Sequence, residues 1–252
     1  MKHTIKSFHS QSEEYGDNFE FLLAHTDEKQ KSIAWLTEAV EQLPLKRQFI
    51  DAGAGNGTIT QVLVPYFAHT TALEPNLELR QQLQTNCPEI TIHPNFIMDA
   101  DIPSAQADFI LCSHVLYYVE QTQWLAHIEK LATWLAPEGV LVLMLQHHAS
   151  DCMQMQTHFF QRTFNLAAVG QAFKEQQREK YQVDVEIMPI DIITPDLAST
   201  YRIAEFMLNL LPVVNLPTRN ELESYIQQHF QPQAQGYRFS SDQTLVKIHQ
   251  HT

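Results

Sequence analysis

The chain has 252 residues, enough for one substantial buried core, with 16 Lys and Arg against 29 Asp and Glu and a formal charge of −13. Without a dense basic cluster to neutralise phosphates, that balance argues against a nucleic-acid substrate. The three cysteines, Cys87, Cys112 and Cys152, are odd in number and widely spaced, which excludes a disulfide framework or a Cys-based zinc site. Among the 13 histidines, the adjacent pair His147-His148 and the tail pair His249/His251 are not matched with Cys or Glu at ligand spacing, so no metal is expected. No apolar run is long enough to span a bilayer and the N-terminus has no signal-type apolar region. A protein of the cytoplasm, a monomer or weak dimer, is the expectation.

Residues 18–43 read as helical, with apolar positions at Phe19, Leu22, Leu23, Ile33, Leu36 and Val40. The polar stretch at His25–Glu28 interrupts them, and Thr26 or Asp27 suits the cap of a second helix there. A short apolar strand at Phe49–Asp51 runs into Ala52-Gly53-Ala54-Gly55-Asn56-Gly57-Thr58, then a helix to about Tyr66. Strands are expected at 71–74, 90–93, 107–112 and 140–145, separated by helices at about 76–84 and 121–135. Val140–Leu145 is apolar on both faces, the signature of a parallel strand covered on each side. Beyond Ser150 the reading is helix over 151–173, strand over 183–187, helices over 201–211 and 219–230, and a last strand over 244–248. This alternation predicts an open α/β sheet. Three parts follow: 1–46 as a helical cap, 47–150 as a binding core, and 151–252 as remaining strands with an inserted helical cover.

In open α/β sheets ligands bind beyond the carboxyl ends of the strands. Alternate glycines permit a tight turn and close backbone approach there. Asp51, Gly53 and Gly55 lie at the first such end, Glu74 and Pro75 at the second, Asp99 and Ala100 after the third, and Ser113 and His114 at the fourth. The third glycine comes one residue too early for the dinucleotide fingerprint, which disfavours a nicotinamide oxidoreductase.

The run from Asp51 to Gly57 resembles motif I of the class I S-adenosylmethionine-dependent methyltransferases. That resemblance implies a Rossmann-like, seven-stranded, mostly parallel sheet with an antiparallel C-terminal strand and a helical substrate cover. It implies S-adenosyl-L-methionine as cofactor. Asp51 would serve the glycine loop and the amino end, Glu74 the ribose hydroxyls and Asp99 the adenine, with Asp101 the competitor for that last place. Met98 covers an adenine face or packs in the core.

A narrower resemblance, to histamine N-methyltransferase and its relatives, rests on Phe19-x-x-Leu22-x-x-x-His25-Thr26-x-Glu28, Val115–Val119, Glu205–Met207 and Asp242–Leu245. It implies a small-molecule amine or heterocycle as acceptor, held by Glu28, Tyr15, Phe19, Tyr117, Phe206 and Gln243. Glu28, His114 and Tyr118 are the catalytic candidates, His114 as a base titrating near neutrality. The alternatives are a small-molecule O- or C-methyltransferase and a non-catalytic S-adenosylmethionine-binding protein.

Overall fold

The computed structural model describes residues 4–6, 13–209 and 215–251. In chain order it begins with helices α1 (Glu13–Leu23) and α2 (Glu28–Glu41), strand β1 (Gln48–Ala52) and the short helix α3 (Thr60–Leu63). There follow β2 (His69–Leu73), α4 (Leu77–Asn86), β3 (Thr91–His93), β4 (Ala107–Ser113), α5 (Trp124–Thr133) and β5 (Leu135–Gln146). Next come α6 (Asp151–Phe160), α7 (Leu166–Gln176), β6 (Tyr181–Met188), β7 (Asp191–Thr194) and α8 (Leu197–Leu208). The chain closes with α9 (Arg219–His229), β8 (Gln231–Pro232), β9 (Tyr237–Ser240) and β10 (Gln243–Gln250). No described helix is long and apolar enough to cross a membrane.

The expected sheet is present: seven strands in the order β3-β2-β1-β4-β5-β10-β6, mostly parallel with an antiparallel C-terminal strand. β1 pairs in parallel with both β2 and β4, and β4 with β5. Phe49, Ile50, Phe109, Ile110, Leu141 and Val142 are all buried, as strands covered on both faces require.

Two compact units divide the chain. One holds residues 32–145, 165–187 and 244–252, and with them most of the large sheet. The other holds residues 1–31, 146–164 and 188–243. Its three-stranded sheet β7-β9-β8 is antiparallel, and its core gathers Leu22, Met155, Ile192, Ile203, Phe206 and Phe239.

Helix starts follow cap chemistry, because a short oxygen-bearing side chain answers the unpaired N–H groups of a first turn. The Thr26 hydroxyl accepts from Glu28 N at 3.2 Å, so the interruption read at residues 25–28 is the joint between α1 and α2. The Asn76 carbonyl oxygen accepts from Glu78 N and Leu79 N at the head of α4. Thr218 and Glu221 form a reciprocal capping box on α9.

Several boundaries differ from the sequence reading. The single helix expected over 151–173 is two, α6 and α7, because Gln161 turns into the left-handed region at φ 55°. Asn165 then caps the second by accepting from Ala168 N. The segment Pro137-Glu138-Gly139 is an irregularity inside β5, where the register with β4 shifts between Ala107 and Phe109. α8 starts earlier than expected, at Leu197, where Asp196 caps it, and Leu210 and Leu211 lie outside the described residues.

Candidate active site

The glycine loop is built as its sequence demands. Gly53, Gly55 and Gly57 all have positive φ, at 91°, 58° and 85°. A Cβ on Gly53 would collide with the Val115 side chain, whereas one on Gly55 would meet only open space. Gly53 is therefore fixed by packing and φ, and Gly55 by φ and by room beside the loop. Gly53 N and Ala54 N both donate to Leu73 O, which ties the loop to the end of β2.

Glu74 follows directly and is 6% exposed. Its Oε2 accepts from Gly55 N and its Oε1 from Asn76 N, each at 2.8 Å. The carboxylate thus braces both loops and, with about four acceptor sites on its two oxygens, keeps capacity for a ligand's hydroxyls. Asp51 is buried at the end of β1 and accepts from the Thr60 hydroxyl at 2.7 Å. Burial pushes its carboxyl up to about 7; the Thr60 hydrogen bond opposes this and the Glu74 charge adds to it.

Thr60 and Asn76 escaped the sequence reading. A hydroxyl nine residues beyond an acid at a strand end was the available signal for the first.

The segments that follow β2, β3 and β4 also carry large apolar side chains facing solvent: Leu77 at the head of α4, Phe96, Met98 and Tyr118, from 45% to 74% exposed. Met98 is one of these, so the core-packing reading of it fails. Asp99 and Asp101 are both exposed, while Ala100 is buried. Exposed apolar rings and thioethers beside a carboxylate-braced glycine loop suit a planar aromatic group joined to a polar sugar and amino acid.

At the end of β4, Ser113 is half-buried and His114 takes φ 58°, donating its backbone N–H to Met144 O at 2.9 Å. That left-handed turn is unusual for a residue with a Cβ. The imidazole stacks on Tyr117 with centroids 5.9 Å apart. Burial lowers its pKa to about 4, so the near-neutral titration expected of His114 is corrected: the ring is neutral at pH 7 and only weakly basic.

The other unit carries Tyr15, Phe19, Glu28, Phe206 and Gln243. Tyr15 lies edge-on to Phe206 at 5.0 Å, and Phe19 is 6.3 Å away and 43% exposed. Phe206 itself is fully buried, so it supports those rings from beneath and presents no open face. Glu28, half-buried at the head of α2, has its carboxyl raised to about 7, by burial first and by the neighbouring Asp27 charge second. Gln243 is fully buried and donates Nε2 to Ser241 O. Elsewhere in this unit a hollow of about 630 Å³ is lined by His158, Tyr225 and His229 among others, and none of the candidate residues borders it.

Residues 9–184 match the family model described as a methyltransferase domain. No curated protein matches the sequence. Among solved structures, a protein of Bacillus halodurans C-125 is similar with a TM-score of 0.62 at 10% identity, over 86% of this chain and 97% of that one. The N-methyltransferase NodS of Bradyrhizobium japonicum WM9, solved with S-adenosyl-L-homocysteine, gives 0.60 at 14% identity, over 96% and 100%. A SAM-dependent methyltransferase of Leishmania major gives 0.56 at 12%, over 95% and 85%. At such identities the likeness speaks for the fold, and the family match covers more than half the chain. The chain therefore belongs to the methyltransferase-domain family and is an S-adenosylmethionine-dependent methyltransferase of the class I fold.

Proposed function

We propose that the chain transfers a methyl group from S-adenosylmethionine to a nitrogen of a small amine or heterocycle. Glu74, bracing Gly55 N and Asn76 N beside exposed apolar side chains, is the observation that carries the cofactor half of this reading. Asp51, Gly53, Gly55, Glu74, Pro75, Asp99, Ala100 and Ser113 are the residues proposed to hold the cofactor. When bound, it would supply an electrophilic methyl group for the acceptor's lone pair, the C–S bonding pair leaving with the sulfur as S-adenosylhomocysteine.

The chain's own residues position and deprotonate. Neutral His114 accepts a hydrogen bond or relays a proton without retaining it at pH 7, consistent with its depressed pKa. Tyr118 offers a ring face to positive charge, an attraction of about 0.5–2 kcal/mol depending on burial. Glu28, titrating near 7, attracts a cationic amine and takes up a proton readily. The nitrogen acceptor is favoured by the resemblance to histamine N-methyltransferase at Glu28, Tyr117, Phe206 and Gln243. His114 and Gln243 depart from that family's glutamine and asparagine, so the proposal names the class and not histamine.

A homocysteine-release screen of small amines and imidazoles, with carboxylic acids and phenols alongside, tests this. Turnover of an amine is expected, with kcat/KM falling tenfold or more in Glu28→Gln. Turnover of carboxylic acids or phenols alone would replace the nitrogen reading with O-methylation.

Asp51 makes binding pH-dependent. Its carboxyl is raised to about 7 in the free protein, and a cationic amino end favours the ionised form. Below pH 7 a proton must leave as the ligand arrives, so affinity rises with pH, by up to about tenfold per unit, and levels off above 7. Calorimetry with S-adenosylhomocysteine should show tighter binding at pH 8 than at pH 6, and Asp51→Asn should flatten the difference. A flat wild-type profile would separate Asp51 from the ligand's charge.

A further inference from the structure

Helix α4 touches both the glycine loop and the turn that carries Glu74, and every one of these contacts lies within the unit that holds most of the large sheet. At its far end Asn86 donates Nδ2 to Asn56 O in the glycine loop at 2.8 Å. On its buried side Leu83 sits so close under Gly57 that a Cβ there would strike the leucine side chain. At its near end Arg80 donates Nη1 to Glu74 O at 2.9 Å and to Pro75 O at 3.0 Å. The backbone N–H of Arg80 closes on Asn76 O at 2.9 Å.

Arg80 is half-buried at the fourth position of α4, and its guanidinium reaches back past the start of the helix. A cation at that end opposes the helix dipole, so helix stability alone does not select it. The first turn is already served, since the Asn76 side chain accepts from Glu78 N and Leu79 N.

What the guanidinium does fix is the backbone that carries Glu74. The Glu74 N–H donates to His93 O at 3.0 Å, and its carboxylate accepts from Gly55 N and Asn76 N. With both hydrogens of Arg80 Nη1 on the two carbonyls that follow, the segment is tied at backbone and side chain alike. Charge-assisted bonds from a planar guanidinium suit this, because they are strong and fixed in direction. The far end of α4 is fastened to the glycine loop, so Arg80 also sets how Glu74 stands against Gly55.

We propose that Arg80 is a positioning residue for cofactor binding, holding the Glu74 backbone so that the carboxylate stands preformed for the ribose hydroxyls. Ordering that the free protein has already completed no longer weakens the binding step. This rests on the assignment of Glu74 to the cofactor in the reading above and adds a residue that acts only through it.

A double-mutant cycle of Arg80→Met and Glu74→Ala, read by calorimetry with S-adenosylhomocysteine, tests it. Arg80→Met keeps an apolar stem and removes the donors. It should weaken binding by about fivefold or more in the otherwise wild-type protein, and by less than about twofold when residue 74 is already alanine. Arg80→Lys, which keeps charge and donors, should bind more tightly than Arg80→Met. Arg80→Ala takes the methionine's place in the cycle if that variant does not fold. Equal weakening in both backgrounds is the mark of a general structural role and overturns the proposal. Binding within twofold of wild type in Arg80→Met overturns it too, as does a lysine variant no tighter than the methionine one. In each of these cases a large loss in Glu74→Ala alone leaves the cofactor reading standing, whereas no loss there overturns both.

Discussion

Replacing Glu74 by alanine is expected to weaken S-adenosylhomocysteine binding by about 30-fold or more, because hydrogen bonds to a charged group contribute roughly 1.5–3 kcal/mol each. The loss has two sources. The carboxylate no longer meets the ligand's hydroxyls, and Gly55 N and Asn76 N lose their acceptor. Glu74→Gln separates them, since one amide oxygen can still brace one loop while the charge is gone. Calorimetry should rank the affinities wild type, then Gln, then Ala, with far-ultraviolet circular dichroism unchanged. An affinity within twofold of wild type in the alanine variant would remove Glu74 from the site.

The largest stability effect is expected at the opposite end of the sheet. Asp108, at the start of β4, is 2% exposed and accepts from Arg47 N at 2.6 Å, Arg47 Nη2 at 2.6 Å and Nε at 3.2 Å, and Gln48 N at 3.3 Å. The carboxylate joins the entry of β1 to that of β4, and loss of it leaves two backbone N–H groups without an acceptor. The Arg47 side chain is largely in water, so the backbone bonds dominate the cost. Asp108→Ala should cost about 2–4 kcal/mol, near 5–15 °C in Tm for a chain of this size. Burial would raise the Asp108 pKa, but its hydrogen bonds and the Arg47 charge outweigh that and hold it below the ordinary 3.8. With the folded pKa depressed, this stabilisation is present above 3.8 and lost as pH falls through the folded value. The alanine variant should therefore differ most from wild type at neutral pH and converge with it in acid; a shift under 2 °C at pH 7 would contradict the assignment.

The large sheet was legible because its strands are short apolar runs in a chain whose glycines and prolines mark the turns. Phe49–Asp51 and Val140–Leu145 have no alternative use in a folded protein. The sheet β7-β9-β8 was not legible. Asp191–Thr194 and Tyr237–Ser240 are four residues each, half-exposed, and held by pairing partners far apart in sequence. The break between α6 and α7 was hidden for a different reason: a glutamine, not a glycine, takes the left-handed position there.

Of the candidate cofactor site, the tight positive-φ glycine loop and the buried acid that follows β2 were legible, since alternate glycines and an acid at a strand end leave few conformational options. Thr60 could not, because it matters only through one hydrogen bond to a buried carboxylate. Nor could the depressed basicity of His114, which is set by what packs around the ring.

The place of β10 between β5 and β6 has a consequence for biosynthesis. β6 is an inner neighbour of nothing until β10 exists, because it joins the sheet only through that strand. During synthesis residues 189–242 must be made after β6 before its hydrogen-bonding partner appears. Throughout that interval β5, whose residues Leu141–Leu145 are all buried in the folded chain, presents a bare edge, and β6 lacks its own partner strand. Nascent chains halted short of Gln243 should expose an adhesive strand edge and become clients of chaperones.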